Sequence, residues 1–192
     1  MAIELLMFSL NALTLIHSYR STGLIQTMQT YLPVGITATI VDNIVVAAGY
    51  LQYDGPYLLW LGNVPLAAAL TWGSILHIMR ALRKILRNQF GRRIPWNALL
   101  ATAGTILDAA VERLAPSAWL GWTWIINNPV LRFPARNSAG WFLILGSSLL
   151  IQEWMRTRAQ NEAAKLLATC GLSILQTLII LLTLISLGYL VD

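Results

Sequence analysis

Asp42 lies near the middle of an apolar run, Pro33 to Leu51, that is long enough to cross a bilayer. A carboxylate there costs roughly 2.5–3.5 kcal/mol on insertion scales. A chain keeps such a group when it faces a protected interior instead of lipid. The fold must therefore surround this position with other helices. Two more carboxyls, Asp108 and Glu112, stand four residues apart late in another apolar run, which puts them on one face of a helix. The 192 residues are 57% hydrophobic and only 11% charged, against about 25% charged in soluble domains, so the composition is that of a membrane protein.

Six apolar runs divide the chain. The periodicity predicts helices over Ile3–Ser18, Pro33–Leu51, Val64–Leu82, Trp96–Val111, Ser138–Trp154 and Leu166–Leu190. At roughly 20 residues per span, the expected fold class is all-α: one polytopic helical membrane bundle of about six transmembrane helices, a single integral membrane domain over residues 1–192. The first basic residue is Arg20, and no small-residue cleavage site precedes it, so the first run reads as a retained helix and not a signal peptide.

The connections alternate in charge. The first holds Arg20 and the second only Asp54. The third is strongly basic, with Arg83, Lys84, Arg87, Arg92 and Arg93 and with Arg80 at its edge. The fifth holds Arg156, Arg158 and Lys165. The positive-inside rule places these basic connections in the cytoplasm and both termini outside, in a bacterial cell (inner) membrane. Arg113, Arg132 and Arg136 of the fourth connection run against that bias. The net charge of +5 is thus explained by orientation and anionic headgroups, and no aromatic–basic interleaving points to nucleic acid. Arg80, Arg83, Lys84 and Arg87 follow helical spacing, so the third helix should continue past the membrane with a basic stripe, suited to headgroups or to a substrate phosphate.

The fourth connection, residues 115–137, is apolar, rich in tryptophan and broken by prolines. Irregular backbone at membrane depth is tolerated only where it is buried or lines a cavity, so a short interfacial or re-entrant element capping the bundle is expected. Polar stripes also run inside the helices: Glu4, Asn11 and Ser18 on the first, and Thr169, Ser173, Gln176 and Thr183 on the last. They either line a hydrophilic pocket or join helices by hydrogen bonds. Cys170 is a lone cysteine in an apolar run, and with His17 and His77 it forms no metal-ligand pattern. No metal or other cofactor is expected.

Two segments carry a resemblance. One is Gly62-Asn63-Val64-Pro65-Leu66, leading to Trp72-Gly73. The other runs from Leu107-Asp108 through Gly121-Trp122-Thr123-Trp124 and Phe133-Pro134-Ala135-Arg136-Asn137 to Gly140-Trp141-Phe142. In order and spacing these resemble the integral-membrane carotenoid-biosynthesis family that includes the hydratases of bacterioruberin and monocyclic-carotenoid synthesis. Asp42 stands where many members carry Glu, Phe133 replaces a usual Val, and Arg136 intrudes before the Asn. The resemblance spans roughly residues 36 to 145. It implies a polytopic helical enzyme without a redox cofactor that hydrates the terminal double bond of a linear carotenoid end.

The residues fit that chemistry. Adding water to a trisubstituted alkene needs a proton donor, shelter for a tertiary cation and a positioned water. A carboxyl in an apolar pocket retains its proton, because desolvation disfavours the anion. Asp42 or Asp108 is the candidate acid; the other, or Glu112, orients water or takes a proton back. Trp72, Trp122, Trp124 and Trp141 are candidates to stabilise the cation, at about 0.5–2 kcal/mol each. Tyr53, Asn137 and Glu4 complete the expected substrate site. The expected partners are a lipophilic small molecule and membrane lipids. The same first step serves a membrane cyclase, in which an internal double bond or hydroxyl captures the cation. A third possibility is a non-enzymatic transporter subunit or scaffold that uses Asp42 as a relay.

Overall fold

Gly23, Gly49, Gly62, Gly91 and Gly121 all take positive φ, and each stands where a helix or strand ends. A computed structural model describes residues 2–114, 121–125, 135–158 and 161–186. Among these residues there are six helices: α1 (Ala2–Thr22), α2 (Leu24–Ala47), α3 (Leu66–Phe90), α4 (Trp96–Leu114), α5 (Ala135–Arg158) and α6 (Glu162–Ser186). Four short strands join them: β1 (Leu51–Tyr53), β2 (Trp60–Leu61), β3 (Val64–Pro65) and β4 (Trp122–Trp124). The all-α class and the order of the six helices follow the hydrophobic runs. Leu187–Leu190, and the 115–120 and 126–134 parts of the aromatic connection, lie outside the described residues.

The second helix corrects the expected boundaries. It begins at Leu24, not Pro33, and ends at Ala47, not Leu51. Its polar first turns are not a loop, because they pack inside the bundle. Gln29 donates to the backbone carbonyl of Glu162 at 3.1 Å, and the Arg80 guanidinium donates to the Thr30 hydroxyl. Gly23 alone, at φ 84°, separates α2 from α1. The correction moves Asp42 from mid-helix to just over one turn from the end of α2. That brings it level with the late carboxyls of α4.

Two helices, α2 and α6, are long and apolar enough by composition to cross a membrane. That is fewer than the six spans expected, because the other four helices carry polar residues that lower their mean hydropathy, some of them turned inward. Asn11 of α1 donates to the Ala67 carbonyl of α3 at 3.0 Å and accepts from Ser74 at 2.7 Å. Ser18 meets Thr27 at 3.0 Å, and His17 meets His77 at 2.9 Å. On α6, Gln176 donates to the Ile144 carbonyl and to Ser148 of α5, while Thr37 of α2 donates to the Ser173 carbonyl. Asn11, Ser18, Ser173 and Gln176 of the stripes thus join helices, the bonding mode expected where lipid offers no partner, whereas Thr169 and Thr183 bond carbonyls of their own helix.

The apolar core forms where α2, α3, α4 and α5 meet, through Val34, Val41, Leu76, Ala101, Leu145 and Leu149. At one end, Glu153 of α5 accepts from Arg83 and Arg87 of α3 and from Asn97 of α4, so three helices share one ionic knot. The basic stripe does continue α3, to Phe90. At the other end the strands form two small antiparallel pairs. β2 and β3 turn tightly through Gly62 and Asn63. β1 pairs with β4 in the register Leu51 with Trp124, Gln52 with Thr123 and Tyr53 with Trp122.

A carboxyl cavity beneath the strand pair

The β1–β4 pair joins parts of the chain some seventy residues apart. Alternation sends Trp122 and Trp124 to the inner face and leaves Thr123 exposed. On β1 the same rule turns Leu51 and Tyr53 inward and Gln52 outward. The pair is fastened at both ends. Asp54 and Gly55 donate backbone N–H groups to the Gly121 carbonyl at 2.9 and 3.1 Å, and Ile125 donates to the Tyr50 carbonyl at 2.9 Å. The Tyr57 hydroxyl adds a further bond to Gly121 at 3.2 Å.

Beneath this lid lies a cavity of about 100 Å³. Asp42, Asp108 and Glu112 all line it, with Trp72, Trp122, Trp124, Trp141, Tyr53 and Asn137. Three carboxyls from two helices, together with side chains from both strands of the lid, α3 and α5, therefore converge on one space. Asp108 and Glu112 are buried, and Asp42 is half-buried. Asn137 donates to Asp108 Oδ2 at 3.1 Å. The Trp122 indole donates to Glu112 Oε1 at 3.0 Å, and Trp124 lines the same space. Trp72 and Tyr53 stand beside Asp42 in the cavity wall. Asp108 lies within electrostatic reach of both other carboxyls. Trp72 and Trp141 pack ring to ring at 4.3 Å between centroids and form an aromatic wall.

Tyr53 sits on the lid. Burial first, then the charges of Asp42, Tyr57 and Glu112, push its phenol well above the usual tyrosine range. It therefore keeps its proton and remains a donor. Tyr57 is pushed up to about 12 by burial and by Glu4 and Asp54.

Glu4 does not join the cavity. It is buried, and its Oε1 accepts the Leu58 backbone N–H at 2.8 Å, so it pins the loop before β2. The same stripe that placed Asn11 and Ser18 against α3 and α2 turns Glu4 toward that loop. Asn43, next to Asp42, also has a structural role. Its amide donates to the Leu61 carbonyl at 2.9 Å, and its Oδ1 accepts the Asn63 N–H at 2.6 Å, which locks the β2–β3 turn.

Five lining residues escaped sequence reasoning: Met7, Leu51, Ala68, Thr71 and Ile75. Ala68, Thr71, Trp72 and Ile75 share one helical face, so the stripe on α3 around Trp72 was the available signal. Among the described residues, no three His, Cys, Asp or Glu side chains are grouped to hold a metal ion. What the arrangement offers is proton donation and acceptance beside stacked aromatic faces. Compared with known proteins, the chain matches no family model, no curated protein and no solved structure.

Proposed function

We propose that the chain is a membrane enzyme that protonates an alkene or epoxide at the end of a long apolar, isoprenoid-like substrate, after which water captures the resulting carbocation. The observation that carries this reading is the convergence of Asp42, Asp108 and Glu112 on one aromatic-walled cavity. Sites for drug-sized ligands usually span about 300–1,000 Å³. A space of about 100 Å³ takes only a terminal group, which suits reaction at a chain end.

Hydrogen bonding assigns the roles. Glu112 accepts from the Trp122 indole, and Asp42 stands beside Trp72 and Tyr53. Asp108 accepts from Asn137 through one oxygen, which leaves its other oxygen to carry and deliver a proton. In the proposed cycle Asp108 gives that proton to the less substituted alkene carbon, and a tertiary cation forms on its neighbour. Trp72 and Trp141 stabilise the cation through their ring faces. A water held by Glu112 or Asp42 adds to the cation, and its surplus proton passes to that carboxylate and returns to Asp108. The resemblance to carotenoid hydratases supports the same chemistry. The apolar α2 and α6, and the exposed Ile174, Leu178 and Leu182 of α6, support an integral membrane setting for the full helical bundle.

A second reading is favoured by the number of aromatic rings. Four tryptophans and Tyr53 around the carboxyls shelter a cation longer than water capture requires, so an internal double bond or hydroxyl could close a ring instead. Mass spectrometry of lipid extracts from a host with and without the chain tests both. A product heavier by one water supports hydration, an isomeric product supports cyclisation, and unchanged lipids refute both.

A further inference from the structure

Positive charge gathers at the end of the bundle away from the lid. Arg80, Arg83, Lys84 and Arg87 of α3, Arg92 of the following turn and Arg156 of α5 line a cavity of about 480 Å³. Among the described residues, the only carboxylate paired with any of them is Glu153, at 3.4 Å from Arg83 and 2.5 Å from Arg87. A surplus of cations held in a concave site focuses a positive field and favours a bound anion. From Trp72 to Arg83 the rise along α3 is roughly 16 Å at 1.5 Å per residue, so this site is separate from the carboxyl cavity.

A second cavity, of about 440 Å³, opens from the same side chains. Arg83, Arg87 and Arg92 line both spaces. The other walls of the second are mostly apolar, with Ile94, Pro95 and Ala98 on one side and Phe142, Leu143 and Leu150 on the other. Phe142, Gly146 and Leu150 recur every four residues, so the groove follows one face of α5. It runs from the Glu153 knot for roughly 16 Å.

We propose that these joined cavities bind one anionic phospholipid, with its phosphate at Arg83, Arg87 and Arg92 and a hydrocarbon chain along the α4–α5 groove. Arginine forks match phosphate oxygens, and the apolar channel that starts at those arginines matches an acyl or prenyl tail. Snorkelling to bulk headgroups explains an exposed cation such as Lys84. It does not explain a buried Arg83 at the mouth of an apolar groove. A free phosphate would use the cations and leave the groove empty. The site stands apart from the acids, so it does not depend on the reaction proposed for them.

The test uses the full chain in a neutral detergent, titrated with phosphatidylglycerol, phosphatidylcholine or inorganic pyrophosphate and followed by native mass spectrometry. Phosphatidylglycerol should be retained in preference to phosphatidylcholine. Removing two cations with Arg87→Gln/Arg92→Gln should weaken it roughly 30-fold, from the usual worth of a basic residue near an anionic headgroup. Ala98→Phe leaves every cation in place, fills the groove at an exposed position and should also weaken retention. Equal retention of the two lipids overturns the proposal. So does phosphatidylglycerol binding that Ala98→Phe leaves unchanged while pyrophosphate displaces it fully, because the site would then take phosphate without a tail. Circular dichroism of each variant separates lost binding from lost fold.

Discussion

Replacing Asp108 by Asn separates the acid from its geometry. Asp108 is 8% exposed and accepts one bond, from Asn137 at 3.1 Å. In Asp108→Asn the new carbonyl oxygen can accept that same bond, and the side-chain volume hardly changes. The stability cost should therefore stay near the worth of one altered hydrogen bond, about 1 kcal/mol. The chemical cost is much larger. General acid catalysis contributes typically 10²–10⁴-fold, which is about 3–5 kcal/mol of transition-state stabilisation. Turnover should fall by at least about 100-fold while the helical signal and melting temperature in detergent remain near those of the parent. Glu112→Gln should cost less, because in the proposed cycle Glu112 shares with Asp42 the holding of water and does not deliver the first proton. The assay is product formation in membranes at matched expression. If Asp108→Asn and Asp42→Asn both keep near-native turnover, acid catalysis by these groups is wrong, and the carboxyls serve to join helices or relay ions.

Three further outcomes follow from the lid and the ends of the bundle. Gly62 holds φ +68°, and a Cβ there would collide with Asn43 Oδ1, whereas Gly49 at φ +77° has open space. Gly49→Ala should cost only the left-handed strain, about 1 kcal/mol, and Gly62→Ala should cost more in thermal unfolding; equal losses would dismiss the Asn43 clamp. The Tyr57 phenol, raised from 10.0 to about 12, favours its neutral form in the fold. Its contribution is complete below about pH 10 and is lost as pH rises towards 12. Alkaline unfolding of the parent should therefore show a step in that window that Tyr57→Phe lacks. In a Cys170→Ser background, Asn88→Cys should resist an impermeant thiol reagent applied to intact cells, and labelling from outside would reverse the proposed orientation.

Much of the architecture was legible because apolar run length and helix length are set by the same physics. The six helices appear in order, and Asp108 and Glu112 fall on one face as their spacing requires. The second helix was misjudged because Gln26, Thr27, Gln29 and Thr30 look like a loop until their partners on other elements are known. Those partners, Glu162 and Arg80 among them, are remote in sequence. The lid was hidden for a related reason. Trp122-Thr123-Trp124 alternates like a strand, but its partner Leu51–Tyr53 is three residues long and begins at the expected end of the second helix, so it carries no strand signal of its own. Glu4 was grouped with the site by its charge. Only the three-dimensional path shows that it holds Leu58 and not the cavity.

The central claim is that a carboxyl of this cavity delivers a proton to carbon. Running the reaction in deuterium oxide tests it most directly, because carboxyl protons exchange with solvent and protons on substrate carbon do not. Mass spectrometry after washing the product in ordinary water should find one deuterium retained on carbon, with labelled product reduced at least about 100-fold in membranes carrying Asp108→Asn. A hydrated alkene product that carries no carbon-bound deuterium would contradict the account.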